Sequence, residues 1–152
     1  MAVTPVPDGY HTVTPYLTVR GAAELIEFLK QAFDARELHR TAAPDGKIMH
    51  ASLTIGDSPV MLSDARDQWQ PMPAMIHLYV DDADTTYDRA VKAGATSIMA
   101  VADQFYGDRS GGVKDRWGNM WWVATHKEDV PAEEMEKRAK AAMALATAAP
   151  QP

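Results

Sequence analysis

The sequence predicts an α+β fold of two tandem βαβββ modules followed by a C-terminal helical extension. Three observations predict it: a strand-and-helix segment recurs 61 residues along the chain, turn-bounded strands follow each copy, and a proline-bearing stretch separates the two. The segment PYLTVRGAAELIEFLKQAF from Pro15 aligns with IHLYVDDADTTYDRAVKAG from Ile76, so that Val19 matches Val80, Ala22 matches Ala83 and Ile26 matches Tyr87. In each copy a short apolar alternation ends at a valine and gives way to helical spacing. The helical positions are Ala22, Leu25, Ile26 and Leu29 in the first copy and Ala83, Tyr87, Ala90 and Val91 in the second.

After the first helix the strand-like runs are Glu37 to Thr41, Ile48 to Ile55 and Val60 to Ser63. Pro44-Asp45-Gly46 and Gly56-Asp57-Ser58 separate them, and residues of these types set the backbone angles of tight turns. After the second helix come Thr96 to Ala102, a glycine-rich run from Gly107 to Val113, and Met120 to Thr125, the last entered through Trp117-Gly118-Asn119. The modules span about 12–64 and 75–126 of one domain, 1–130, with residues 65–74 as a linker whose core, Asp67 to Pro73, holds Trp69, Pro71 and Pro73. Residues 131–152 read as a helix begun by a proline and acidic residues, with a stripe of Met135, Ala139, Ala142 and Met143, and a tail fraying toward Pro150.

A chain of 152 residues buries enough apolar surface for one domain. With 46% hydrophobic residues, 24% charged residues and a mean hydropathy of -0.30, its composition is that of a soluble globular protein. No run is long and apolar enough for a membrane helix, and MAVTPVPDGYHTV has no basic start, apolar run and cleavage site, so the expected location is the cytoplasm. The absence of cysteine excludes disulfides and thiolate chemistry and leaves His, Asp and Glu as the strong metal ligands. A net charge of -6 argues against binding a phosphate backbone, so neither nucleic acid nor membrane is an expected partner.

The strings VTPYLTVRGAAELIEFLKQAF, PDGKIMHASLTIGDSPVMLSD and GDRSGGVKDRWGNMWWVATHKEDV resemble the PhnB-like branch of the vicinal oxygen chelate superfamily, which includes glyoxalases, bleomycin-resistance proteins and dioxygenases. The resemblance covers residues 10 to 127. It implies curved mixed sheets that each close half of a cup, helices outside, a small-molecule site within, and commonly a homodimer. Metal-using members carry ligands near the start of the first strand and on the last strand of each module. The corresponding positions here hold Thr14, Met75, Met61 and Trp122, none of them a good hard-metal ligand, so no cofactor is expected at the usual site.

Strand alternation assigns Val13, Pro15, Leu17 and Val19 to the helix side and Thr14, Tyr16 and Thr18 to the cup. By the same rule Ile76, Leu78 and Val80 face the helix while Met75, His77 and Tyr79 face the cup. Met49, Ala51, Leu53 and Ile55 form an apolar set opposite Ile48, His50, Ser52 and Thr54, and Met61, Ser63, Met120, Trp122 and Ala124 complete the cup. The expected ligand-binding residues are Tyr16, His50, Ser52, Met61, Met75, His77, Tyr79 and Trp122, a wall suited to an apolar or aromatic molecule. His50 and His77 are the candidate catalytic residues and, with Asp64, the candidates for a displaced divalent-metal site. His11, His39 and His126 read as surface or edge residues, Trp121 as core, and Asp108-Arg109 as a local ion pair, an anion contact or part of a turn. Two functions fit: a metal-free protein that binds and sequesters a small organic molecule, or a metal-dependent or histidine-based lyase, isomerase, dioxygenase or transferase of the glyoxalase type. A dimeric structural or regulatory module is a third.

Overall fold

The computed structural model describes residues 2–148. The expected fraying toward Pro150 lies outside the described residues. The first module runs β1 (Tyr16–Val19), α1 (Ala22–Phe33), β2 (Arg36–Ala42), β3 (Ile48–Ile55) and β4 (Ser58–Asp64). The second runs β5 (Met75–Tyr79), α2 (Ala83–Lys92), β6 (Thr96–Asp103), β7 (Asp108–Lys114) and β8 (Met120–His126), and α3 (Ala132–Ala148) follows. Each module forms a four-stranded mixed sheet, in the order β1-β4-β3-β2 and β5-β8-β7-β6. In both, the first strand pairs in parallel with the last and the other pairs are antiparallel.

The repeat seen in the sequence is also a repeat in register. Tyr16 pairs with Met61 and Leu17 with Leu62 in one module; 61 residues on, His77 pairs with Trp122 and Leu78 with Val123. Because side chains alternate along a strand, this register fixes two faces on each sheet. The inward faces carry Leu17, Val19, Leu53 and Leu62, and Val113, Trp121 and Val123, all buried in one cluster with Leu25, Ile26 and Leu29 of α1 and Ala90 of α2. Phe33 and Trp121 bring their ring centroids to 4.9 Å, which ties the first helix to the second sheet. Burying side chains of this size contributes about 1.5–3 kcal/mol each.

The two helix starts are held by repeat-mates of different chemistry. Gly21, in the left-handed region at φ 96°, offers no side chain to cap α1. Asp64 at the end of β4 does so instead, accepting from the Gly21 and Ala22 N–H groups on Oδ1 and from the Ile48 N–H on Oδ2. Thr125 stands 61 residues on and accepts from the Ala83 N–H at the start of α2, while Asp82 supplies a local cap to Thr85. The Trp117-Gly118-Asn119 turn is organised by buried Asp115, which accepts from the Trp117 and Asn119 N–H groups and from Trp121 Nε1 at 2.8 Å.

Two facing assignments need correction. Ile48 is 2% exposed and Met49 52%, the reverse of strict alternation, because Thr41 pairs with His50 and Ala42 with Ile48, which leaves Met49 as the extra residue of a bulge in β3. Val13 precedes β1 and is exposed rather than packed on a helix. In α3, Met135, Ala139 and Ala142 are half-buried, but Met143 is exposed and no residue of the helix is buried. Arg138 anchors it to Glu128 and the Phe105 carbonyl and pairs with Glu134 one turn back within the helix.

Candidate functional site

On the face of the first sheet turned away from the helices, register places Tyr16 and Thr18 beside Met61 and Ser63, then Ser52, then His39. Tyr16 reaches from β1 across β4 to β3, where its hydroxyl meets His50 Nδ1 at 3.2 Å, and His50 Nε2 meets Ser52 Oγ at 3.1 Å. His39, expected as an edge residue, also belongs here. Thr41 opposite His50 and Ser52 opposite His39 put its imidazole on the same face, 6.4 Å from that of His50. Its Nε2 is 2.9 Å from Thr41 Oγ1.

The matching face of the second sheet carries Met75, His77 and Tyr79 on β5, Met120, Trp122, Ala124 and His126 on β8, and Asp108, Ser110 and Gly112 on β7. Trp122 lies flat over Gly112, where an added Cβ would come within 2.5 Å of the indole. A glycine on β7 is therefore what admits a broad aromatic floor. The His77 and Tyr79 rings meet at a 5.0 Å centroid separation with their planes tilted by 58°. The outer residues of these faces are open, with Tyr16 48% exposed, Met75 64% and Tyr79 67%, while Ser52, Ser110 and Ala124 are buried beneath their neighbours. A cleft of about 1140 Å³ runs between the free edge of β5, reaching His77 and Tyr79, and the turn between β3 and β4. The Asp34–Arg89 ion pair joins the two helices at its wall.

The metal-ligand candidates do not fit a shared ion. His50 has both ring nitrogens in hydrogen bonds, and neither a hydrogen bond nor a ring contact joins it to His77 among the described residues. Asp64 lies on the helix side of its sheet, and both its oxygens are taken by backbone N–H groups. Burial works to raise its carboxyl, but the donors at Ala22, Ile48 and Gly21 together outweigh that and hold it below the usual carboxylate value. Its assignment to a displaced metal site is therefore corrected to a helix cap. Among the described residues no group of three His, Asp or Glu side chains is placed to hold a metal ion.

Alternation missed one cluster. Asp108 and Arg109 do not pair with each other, since they point to opposite faces of β7. Arg109 forms a two-bond ion pair with Asp84 of α2 at 2.7 and 2.9 Å, whereas Asp108 is 5% exposed and accepts from Tyr79 at 3.0 Å. His126, expected on the surface past the last strand, is instead its final residue, with Nδ1 2.7 Å from Asp108 and Nε2 2.7 Å from Asp129. Hydrogen bonding to Asp108 and then to Asp129 raises the imidazole above its ordinary value, and Asp108 raises the Tyr79 phenol. Counting in twos from Trp122 reaches His126, so the signal was present once β8 was extended by one residue. His11 is exposed, near the Asp57 carbonyl, and Trp69 is exposed in the linker.

Residues 10–123 match the model of the Glyoxalase/Bleomycin resistance protein/Dioxygenase superfamily. An uncharacterized protein of Mycobacterium bovis is 39% identical over 135 residues, covering 82% of this chain and 89% of that one. Among solved structures, TioX from Micromonospora sp. ML1 aligns at a TM-score of 0.67 with 24% identity over 76% of this chain and 98% of its own. The PhnB protein from Bacillus cereus aligns at 0.60 with 16% identity over 76% and 99%. At such identities the two structures speak to the fold alone.

Proposed function

This chain belongs to the Glyoxalase/Bleomycin resistance protein/Dioxygenase superfamily, and from that premise we propose that it is a cytoplasmic protein that binds and sequesters a small apolar or aromatic molecule without a metal. The observation that carries this reading is the exposed aromatic and thioether face of the second sheet, where Met75, His77, Tyr79 and Trp122 stand together with no core to cover them. Ligand sites favour such concave apolar walls with a few placed polar groups. Because the open faces lie on two different sheets whose helix sides share one core, the cup closes when a second copy lays its first sheet over this second sheet. Tyr16, His50, Ser52 and Met61 then supply the opposite wall.

Two measurements test it. Sedimentation velocity of the full chain is expected to give a dimer. Calorimetric titration with 2-naphthol is expected to show one site per chain, weakened about tenfold or more by His77→Ala or Trp122→Ala, as loss of a central aromatic contact commonly does. A monomer, or binding indifferent to both variants, overturns the reading.

The Tyr16–His50–Ser52 hydrogen-bonded chain favours a second reading, acid–base catalysis of the glyoxalase type, since an imidazole between two hydroxyls can take up and pass on a proton. Turnover of a bound hydroxy or carbonyl compound that His50→Gln abolishes without loss of affinity would put this reading first.

A further inference from the structure

At the end of the second sheet, four side chains form a continuous hydrogen-bonded line from the cup to solvent. Tyr79 leaves β5, crosses above β8 and meets Asp108 Oδ2 on β7 at 3.0 Å; Asp108 Oδ1 meets His126 Nδ1, and His126 Nε2 meets Asp129, both at 2.7 Å. The direction of each bond follows from what the groups carry. A carboxylate has only lone pairs to offer, so the phenol must donate to Asp108. The imidazole lies between two carboxylates and meets both at once by donating from both nitrogens, and these hydrogen bonds raise it above its ordinary value. The ring thus occupies the far oxygen of a carboxylate that is 5% exposed, and Asp108 accepts from Tyr79 on the other.

A phenol has one hydrogen. With that hydrogen committed to Asp108, the Tyr79 oxygen has only lone pairs left for anything arriving from the cup. The neighbouring carboxylate also pushes the phenol above its usual value, which keeps that hydrogen in place. The first sheet has no such constraint. Tyr16 meets a ring nitrogen of His50 that is donor or acceptor according to tautomer, so its hydroxyl can turn either way.

We propose that Tyr79 is a specificity-determining hydrogen-bond acceptor of the cup, positioned by Asp108 and His126, and that the ligand is an aromatic molecule presenting an O–H or N–H donor to it. The inference rests on the ligand-binding reading above and deepens it by naming the ligand's chemical class. A ligand of the same shape without the donor would leave the Tyr79 oxygen desolvated and unpaired on binding. Discrimination of about tenfold is the expected scale for one such hydrogen bond.

The test uses a matched pair, 2-naphthol and 2-methoxynaphthalene, titrated calorimetrically into the full chain. The wild type is expected to bind the naphthol about tenfold more tightly than the ether. Asp108→Asn should shrink or reverse that preference, because the new amide can donate to Tyr79 and free the phenol hydrogen for the cup. Tyr79→Phe, a change at an exposed position that leaves the buried carboxylate in place, should erase the preference even if Asp108→Asn folds poorly. Ultraviolet difference titration of the tyrosines supplies a readout without ligand: a phenol titrating above the ordinary tyrosine value is expected, and its loss in Tyr79→Phe. Equal affinity of the wild type for both probes, or a preference that survives Tyr79→Phe, overturns the acceptor assignment. Binding of neither probe overturns the ligand reading itself and this inference with it, a result distinct from equal binding of both.

Discussion

The two modules share a register and a core yet differ at nearly every polar position, and the difference separates what the fold requires from what the site uses. In both, a tyrosine on the first strand reaches across the last strand to a titratable group on the third: Tyr16 to His50, and Tyr79 to Asp108. In both, the end of the last strand caps the helix that follows the first strand, but with a carboxylate in one case and a hydroxyl in the other. The backbone needs a capping oxygen and an apolar inward face, and it accepts more than one residue type for each. The cup faces are under no such geometric demand, and there the modules diverge, with Met61 against Trp122 and Ser63 against Ala124.

The largest expected contrast lies between two neighbours in sequence. Trp121 is fully buried against Phe33 with its Nε1 donating to Asp115, whereas Trp122 lies on the cup face over Gly112. Trp121→Ala is expected to cost about 3–5 kcal/mol in urea unfolding. Trp122→Ala should cost much less and act on ligand binding. Comparable losses from both would refute the division of the second sheet into a core face and a cup face.

Next in size is the contrast between the repeat-mate caps. Asp64→Ala leaves three backbone N–H groups without their acceptor, and a loss of about 3 kcal/mol is expected; Thr125→Ala removes one acceptor and should cost about 1 kcal/mol. Asp64 also carries a pH signature. Its folded carboxyl titrates below the unfolded value, so the stability it contributes is present above about pH 3.9 and is lost as the pH falls through the folded value. Asp64→Asn should therefore flatten the acid limb of a melting-temperature profile, and an unchanged limb would remove Asp64 from that role.

A smaller contrast tests β5. Ile76 is half-buried against the core and His77 is exposed on the other face, so Ile76→Ala should cost about 2 kcal/mol, at the low end for such truncations. His77→Ala should stay within about 0.5 kcal/mol, as surface changes do, while weakening ligand binding. Equal losses of stability would reverse the facing of the strand.

The fold was legible because the signals that specify it are periodic and local. The apolar alternation of Leu17 and Val19 and of Leu78 and Val80, the helical spacing of Leu25, Ile26 and Leu29, and the Gly56-Asp57 turn each point to one conformation within a few residues. What alternation alone could not supply was pairing. The bulge that buries Ile48 and exposes Met49 depends on how β2 meets β3, and nothing within β3 announces it. The commitment of Asp64 to three backbone donors depends on the start of α1 and of β3 lying beside the end of β4. In sequence Asp108-Arg109 left an ion pair, an anion contact and a turn all open, because their pairing across strands is not local; adjacent residues on a strand point to opposite faces, and their partners came from α2 and β5. His126 and Asp129 gain meaning only once β7 brings Asp108 beside them.

The smallest effect is also the one that sets the modules furthest apart, because it runs opposite in pH to that of Asp64. His126 is exposed, and Asp108 and Asp129 raise its imidazole above the ordinary value; Tyr79 shares Asp108 from the far side. A group whose folded pKa is raised contributes stability that is full below its unfolded value, about 6.5, and is lost as the pH rises through the folded value. The melting temperature of the wild type should thus exceed that of His126→Gln most below about pH 6 and converge with it in mild alkali. Two-dimensional NMR of the ring should show both nitrogens protonated below about pH 6, and should show the ring losing its proton at a higher pH than an ordinary histidine. In wild-type protein the first module then weakens toward acid through Asp64 and the second toward alkali through His126. A melting difference that is constant from acid to alkali would mean that His126 acts by packing, and the line from Tyr79 to solvent would lose its charged end.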